Sequence, residues 1–216
     1  MIIYHGSQRI VEHPIYQGSD KENDYGAAFY CTLDKESASL WAARNNYLGY
    51  INKYQFNDKN LKVLDLRDKH HYSILNWVAI LMHFRHKHKD FINIYEKRLK
   101  WLEDNYYINV DEYDVVIGYR ADDAYFRFPL EFIRGNLVLE DLERAYLLGD
   151  LSYQYVLTSQ KAFDRLKFKG ATQVDKKYLN VYFQNVVNAT DQFKQLLKNS
   201  IDNGGVTIAQ LMENKK

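Results

Sequence analysis

Two short segments near the start of the chain hold residue types that could do chemistry together. Residues 4–7, Tyr-His-Gly-Ser, place an imidazole and a hydroxyl on either side of a glycine, at the end of a short apolar run. Residues 24–32, Asp-Tyr-Gly-Ala-Ala-Phe-Tyr-Cys-Thr, place a glycine turn before an aromatic strand that carries Tyr30. A His-Gly-Ser strand end that faces an aromatic strand suits a clamp for a flat ring bearing an amide, because aromatic faces stack on such rings.

Hydrophobic periodicity predicts the strands and helices that must position these segments. Alternating or continuously apolar runs predict strands, which lie at 1–4, 29–33, 50–56, 61–66, 113–119 and 154–158. Apolar residues at helical spacing predict helices, which lie at 34–45, 72–104, 139–148, 160–166 and 175–201. We expect Asp34 to cap the first helix and Gly149 to end the third, and the second to be continuous or broken near 89–90. Because strands and helices are segregated along the chain rather than alternating, the order favours an α+β fold.

Composition excludes several broad classes of function. The chain has 216 residues and a formal net charge of +1, so no global charge attracts nucleic acid or an anionic membrane. Its single cysteine, Cys31, excludes an internal disulfide, and no apolar run approaches the ~20 residues of a membrane span. Neither common glycine-rich phosphate loop occurs. With no secretion signal visible, we expect a cytoplasmic protein.

Taken as a set, the motifs resemble the ADP-ribosyltransferase superfamily, in the branch of diphtheria toxin and poly(ADP-ribose) polymerases. That branch carries a His, a Tyr and a Glu on three separate strands. The chain resembles more closely a family of short bacterial ADP-ribosyltransferase-like proteins of unknown function. Three later segments carry that similarity, and they are Tyr113–Gly118, Ala121–Asp123 and Gln154–Leu166. The resemblance covers about residues 1–170.

The resemblance implies a fold and a domain organisation. We expect an ADP-ribosyltransferase-like split β-sandwich, in which two small sheets enclose a cleft for NAD. Residues 1–170 would form this domain, with a helical insert at about 72–104. Residues 171–216 would form a C-terminal helical extension.

The resemblance also implies roles for residues in the first two segments. His5 would bind the adenosine-side ribose of NAD, and the Gly6 backbone would bind the nicotinamide carboxamide. Tyr30 would pack on the nicotinamide ring, and Trp41 would add a second stacking surface, which suits a cationic pyridinium. The remaining candidates support these contacts, and they are Tyr4, Ser7 and Gly26. Ala38 stands where the polymerases have a serine that bonds the carboxamide.

The third strand departs from the family pattern, because Gln154 stands where the catalytic glutamate is expected. Cleavage of the nicotinamide–ribose bond builds positive charge at C1′, which a carboxylate on the ribose 2′-hydroxyl stabilises. Glutamine keeps the hydrogen bond but lacks the charge, at a cost on the order of 10²–10³ in rate. Three outcomes are open: a slow enzyme, a protein that binds NAD without turnover, or another carboxylate that substitutes. The candidates for a substitute are Asp122 and Asp123, which could instead be turn residues.

The expected function is therefore an NAD-dependent mono-ADP-ribosyltransferase-like protein with an unknown acceptor, of a toxin or defence type. The alternative is a catalytically silent module of the same fold that binds NAD, ADP-ribose or a protein. A basic stretch, Arg85–Lys100, carries six Lys or Arg against two acids, and we expect it to be the solvated face of the predicted helix at 72–104. It leaves a weakly supported nucleic-acid contact open. The nearby His83, His86 and His88 do not share one helix face, so we expect no metal site there.

Overall fold

The computed structural model describes residues 1–44, 47–85, 89–121, 125–146, 148 and 153–214. These residues form a mixed α+β fold with two β-sheets, which confirms the predicted fold class. The strands of the described residues are β1 Ile2–Ser7, β2 Phe29–Cys31, β3 Tyr50–Phe56, β4 Val63–Asp65, β5 Val115–Gly118, β6 Gln154–Leu157 and β7 Leu166–Gln173. Their helices are α1 Lys35–Ala42, α2 Ile74–Phe84, α3 Lys89–Tyr106, α4 Arg127–Arg134, α5 Leu139–Ala145, α6 Gln160–Phe163, α7 Lys177–Asn199 and α8 Ile208–Asn214.

The two sheets differ in strand direction. The first has the order β1-β3-β7 and is antiparallel throughout. The second has the order β2-β6-β5-β4, in which only the β4–β5 pair is parallel. A backbone bridge between Tyr4 and Thr32 joins the two sheets at the end of β2.

The two sheets pack against each other through a shared apolar cluster. Ile3 and Tyr54 enter it from the first sheet, and Phe29 and Val115 enter it from the second. All four are less than 9% exposed. This packing of one sheet on the other places β1 beside β2, which is the arrangement that the predicted site needs.

A helical layer covers the other face of the second sheet. Most of α2 is buried, and Trp77 and Val78 are fully inaccessible to solvent. The same cluster takes Val116 and Val156 from the sheet and Phe193 from α7. The helices at 72–104 and after residue 171 therefore contribute to the central core of the fold.

The predicted elements match the structure in most places and fail in a few. The region 72–104 is two helices, and Asp34 caps α1 by accepting from the backbone N–H groups of Glu36 and Ser37. The prediction missed α4, α8 and β7, and β7 crosses position 170. Helix α5 ends at Ala145, with Tyr146 as its C-cap, so the predicted end at Gly149 is wrong, and Gly149 itself lies outside the described residues.

Among the helices of the described residues, none has the length and apolar character needed to cross a lipid bilayer.

Candidate functional site

A pocket of about 460 Å³ lies where β1, β2, β6 and α1 meet. This volume falls in the range of roughly 300–1,000 Å³ that small-molecule sites occupy. The predicted site residues that line it are Tyr4, His5, Gly6, Tyr30, Trp41 and Gln154. Ser7 and Gly26, which the structure also describes, are not lining residues. Asp122 and Asp123 lie outside the described residues.

His5 presents a hydrogen-bond acceptor to the pocket. Its Nδ1 lies 2.7 Å from the carbonyl oxygen of Tyr30, which can only accept, so Nδ1 carries the proton. Burial lowers the pKa of His5 to about 4, and the positive charge of Arg44 adds to this effect. The imidazole is therefore neutral at pH 7, and Nε2 can accept a hydrogen bond from a ligand hydroxyl.

Glycine at position 6 is required by the close approach of α1 to β1. A Cβ atom on Gly6 would lie 2.2 Å from the carbonyl oxygen of Ala38 and 2.9 Å from the backbone nitrogen of Ala42. Real Cβ contacts are never this short, so a larger residue would push α1 away from the strand. The glycine thus keeps the strand end and the helix in contact beside the pocket.

The backbone of Gly6 faces the pocket side of β1. Tyr4 uses its N–H and C=O to pair with Thr32, at 2.8 and 2.9 Å, on the edge opposite β3. Backbone groups on an antiparallel strand alternate between its two edges, so the N–H and C=O of Gly6 face the same edge as those of Tyr4. Both Gly6 and Thr32 line the pocket. The strand end therefore offers a donor and an acceptor side by side to a ligand.

Asn52, which the sequence analysis missed, fixes the chain just after this strand end. It is fully buried on β3, and its amide nitrogen donates to the carbonyl oxygens of His5 and Arg9, at 3.2 and 3.3 Å. The same nitrogen donates to Ser7 Oγ at 3.0 Å, and the amide oxygen accepts from the Val11 N–H at 2.8 Å. Ser7 therefore supports the loop rather than the pocket wall.

Tyr30 is held by its hydroxyl. The hydroxyl donates to the Gly26 carbonyl oxygen at 2.7 Å and accepts from the Tyr25 N–H at 3.1 Å. Gly26 has a positive φ of 76°, which the turn requires and glycine adopts easily. Burial raises the pKa of Tyr30. The phenol is thus fixed and neutral, and it contributes an aromatic surface rather than a base.

Trp41 lines the pocket, but two arginines cover its ring. The Arg44 and Arg120 guanidinium carbons lie 3.8 and 4.1 Å from the indole ring centroid. Both arginines also line the pocket. Neighbouring Ala38 contributes only a methyl group, and the Ser37 hydroxyl beside it donates to Asp34. In this arrangement the Trp41 ring packs against the guanidinium groups of Arg44 and Arg120. The sequence prediction had this ring open for stacking on a ligand.

Asp24 and Arg85 form a buried ion pair at the pocket, and the sequence analysis assigned neither to the site. Asp24 is 6% exposed and Arg85 is 9% exposed. Asp24 accepts from Arg85 Nε and Nη2 at 3.0 and 2.5 Å, from the Ala121 N–H at 2.8 Å, and from Gln154 Nε2 at 3.2 Å. Burial raises the pKa of Asp24 above its usual range, and the Arg85 charge and the hydrogen bonds from Arg85, Ala121 and Gln154 only partly offset this effect. All four contacts are N–H donors, which fit an ionised carboxylate and leave no acceptor for a carboxyl proton. A sequence separation of 61 residues gave no signal that the two residues meet.

This ion pair corrects the interpretation of the basic stretch Arg85–Lys100. Arg85 faces the interior rather than a solvated surface. Arg98 also points inward, since its Nη1 donates to the Ile133 carbonyl oxygen at 2.6 Å. His83 contacts Glu103 at 3.1 Å, and His86 and His88 lie outside the described residues. In the described part of the chain, no group of three or more His, Cys, Asp or Glu side chains could hold a metal ion.

Comparison with protein families identifies the chain as a member of one of them. It belongs to the family described as "Protein of unknown function (DUF3990)", whose model matches residues 1–168. The matched region covers both sheets except residues 169–173 of β7, and it includes all described residues of the pocket except Tyr182. Neither the comparison with curated proteins nor the comparison with solved structures found a match.

Proposed function

We propose that this protein binds NAD in the pocket between β1, β2, β6 and α1 and acts as a mono-ADP-ribosyltransferase-like protein with the corresponding split-sandwich fold. One observation carries the proposal. Six residues assigned from four separate segments, between positions 4 and 154, line a single pocket. If these motifs matched by chance, we would expect their residues to lie in different parts of the structure.

The nicotinamide end of NAD suits the strand end of β1. The N–H of Gly6 would donate to the carboxamide oxygen, and its C=O would accept from the carboxamide NH₂ group. The Tyr30 ring, fixed by its hydroxyl, would pack on the pyridinium. Neutral His5 would accept a hydrogen bond from a ribose hydroxyl through Nε2.

The two arginines suit the diphosphate of NAD. Guanidinium groups bind phosphate oxygens through pairs of N–H donors and keep their charge at any physiological pH. Arg44 and Arg120 line the pocket and are ordered by Trp41. We therefore assign Trp41 to the positioning of these arginines and to the diphosphate half of the ligand.

The proposed reaction transfers ADP-ribose from nicotinamide to an oxygen or nitrogen of an acceptor. The C1′–N bond breaks, its electron pair leaves with neutral nicotinamide, and the acceptor atom bonds C1′ and loses a proton. Positive charge develops at C1′ in the transition state, and Gln154 is the group nearest in position to the glutamate that relatives of this type would use. Without that glutamate we expect single transfer rather than chain elongation.

Calorimetric titration of NAD into the purified protein tests the proposal. We expect binding with a Kd below 1 mM, and His5→Ala should weaken it by about tenfold, since one hydrogen bond to the ribose is lost. His13→Ala, an exposed histidine outside the pocket, is the matched control and should bind as the parent does. No heat of binding at millimolar NAD, from a protein that melts cooperatively, would contradict the proposal.

The second candidate function is a module that binds NAD or ADP-ribose without cleaving it, and the glutamine at position 154 favours it. The two candidates separate on nicotinamide release. Chromatographic detection of free nicotinamide above the spontaneous rate supports the transferase. Binding of NAD with no release above that rate supports the silent module.

A further inference from the structure

We propose that Asp24 supplies the negative charge that Gln154 lacks, and that it does so through the Gln154 amide. The inference rests on the proposed function, because the charge serves the cleavage of the nicotinamide–ribose bond. It makes Gln154 the catalytic residue and Asp24 a positioning residue behind it.

Asp24 has no lone pair left for a substrate. Its Oδ1 accepts from the Nε and Nη2 atoms of Arg85, and its Oδ2 accepts from Ala121 and Gln154. A carboxylate has about four lone-pair sites, and here all four are used. Asp24 therefore cannot bond a ribose hydroxyl or take a proton without losing one of these donors.

The contacts of Gln154 set the orientation of its amide. Its nitrogen lies 3.2 Å from Asp24 Oδ2 and 3.3 Å from the Tyr119 carbonyl oxygen. Both neighbours are acceptors, so the amide nitrogen must face them, since the reverse orientation would place oxygen against oxygen. Both N–H groups are thereby used, and Oε1 is the atom that can accept from a ligand hydroxyl.

An anion on the amide N–H makes the amide oxygen a stronger acceptor. Hydrogen bonds in a chain polarise one another, and the effect grows in a site of low dielectric constant. Both side chains are less than 10% exposed. The Asp24 charge therefore draws the amide N–H toward itself and shifts electron density to Oε1, where the ribose hydroxyl would bind.

The same contact explains why position 154 holds glutamine. A glutamate there would place a second carboxylate oxygen about 3.2 Å from Asp24 Oδ2. Two carboxylates at this distance cannot both ionise, and Arg85 offsets only one of them. The site thus holds one carboxylate, one amide and one guanidinium, with the carboxylate on the loop before β2 instead of on β6.

Exchanging the carboxylate at position 24 with the amide at position 154 tests this inference. The rate of nicotinamide release and the KM for NAD are measured for the parent, Asp24→Asn, Gln154→Glu and the double variant that carries both changes. We expect each single change to lower kcat by about 10- to 100-fold with little change in KM, because charge stabilisation in the transition state is lost. The double variant keeps one carboxylate and one amide beside Arg85, and we expect its kcat to exceed that of both single variants and to return to within about threefold of the parent.

Controls separate this role from a structural one. Asp20→Asn removes an exposed charge from the same loop and should leave kcat and KM unchanged. Gln154→Met leaves the Asp24–Arg85 pair intact and should also lower kcat, so the test remains decisive if a charge variant fails to fold. Thermal unfolding of each variant is measured in parallel.

Some results would overturn this inference alone, and others would overturn the proposed function. A Gln154→Glu protein that is faster than the parent, or a folded Asp24→Asn or Gln154→Met protein with the parent kcat, overturns the inference. A folded double variant without recovery overturns it as well. A parent protein that binds NAD but releases no nicotinamide overturns the inference and leaves NAD binding in place, whereas a parent protein that binds no NAD overturns the proposed function itself.

Discussion

Removal of the Asn52 side chain tests how the end of β1 is held. In Asn52→Ala, the Val11 N–H and the carbonyl oxygens of His5 and Arg9 lose their amide partner. Each buried polar group left unpaired costs about 1–3 kcal/mol, and the loop side of this cluster is open to water, so we count one to two such groups. One to two groups at this cost give an expected loss of about 1–6 kcal/mol, from a total stability of about 5–15 kcal/mol.

The assay is urea unfolding followed by far-UV circular dichroism, with NAD titration of the same samples. The control is Asn57→Ala, since Asn57 is exposed directly after the same strand and bonds only the Lys59 N–H among the contacts described. We expect the control to lose less than about 1 kcal/mol. We also expect Asn52→Ala to bind NAD about tenfold more weakly, because His5 and Gly6 lose their support. A loss below about 1 kcal/mol for Asn52→Ala would refute this account of the strand end.

Three further predictions follow from the same region. Because the pKa of folded His5 is about 4 and that of the unfolded residue is 6.5, the unfolded chain binds more protons between these values. Stability should therefore fall by up to about 3 kcal/mol as pH drops from 6.5 to 4, and this loss should shrink in His5→Asn when urea midpoints are compared across that range. Gly6→Ala should lower the Tm by about 5–10 °C in calorimetry, because its Cβ meets backbone at 2.2 Å, and an unchanged Tm would show that α1 can move at no cost. Burial raises the pKa of Cys31, so a thiol reagent should react with it only in denaturant, and rapid reaction of the native protein would contradict its burial.

Hydrophobic periodicity was sufficient to predict the strands and helices whose buried side chains are regularly spaced. Strand β3 has the bounds that its alternation predicts, and α7 lies within the predicted range 175–201. Helix α4, which contains Pro129, was not among the predicted helices. In the structure Pro129 lies in the first turn, where a missing N–H does no harm. Strand β7 was missed although Leu166 and Phe168 alternate with lysines, because its second half is polar and includes Gly170.

The residues of the candidate site also fall into two groups, those that the sequence could predict and those that it could not. His5, Gly6 and Tyr30 could be predicted because each lies in a short motif with a recognisable residue pattern. Asp24 and Arg85 could not be paired, because nothing in a local pattern reports a contact across 61 positions. Asp24 stands beside the glycine turn at Gly26, where an aspartate often caps the turn. Its burial and its pairing with Arg85 become visible only once β2, α2 and β6 are assembled.

A crystal structure of the protein with NAD or with nicotinamide tests the central claim most directly. The account predicts the carboxamide on the N–H and C=O of Gly6, the ring against Tyr30, and a ribose hydroxyl on Gln154 Oε1. NAD bound elsewhere on the protein, or a pocket that stays empty at millimolar NAD in crystals that leave it open to solvent, would contradict the account.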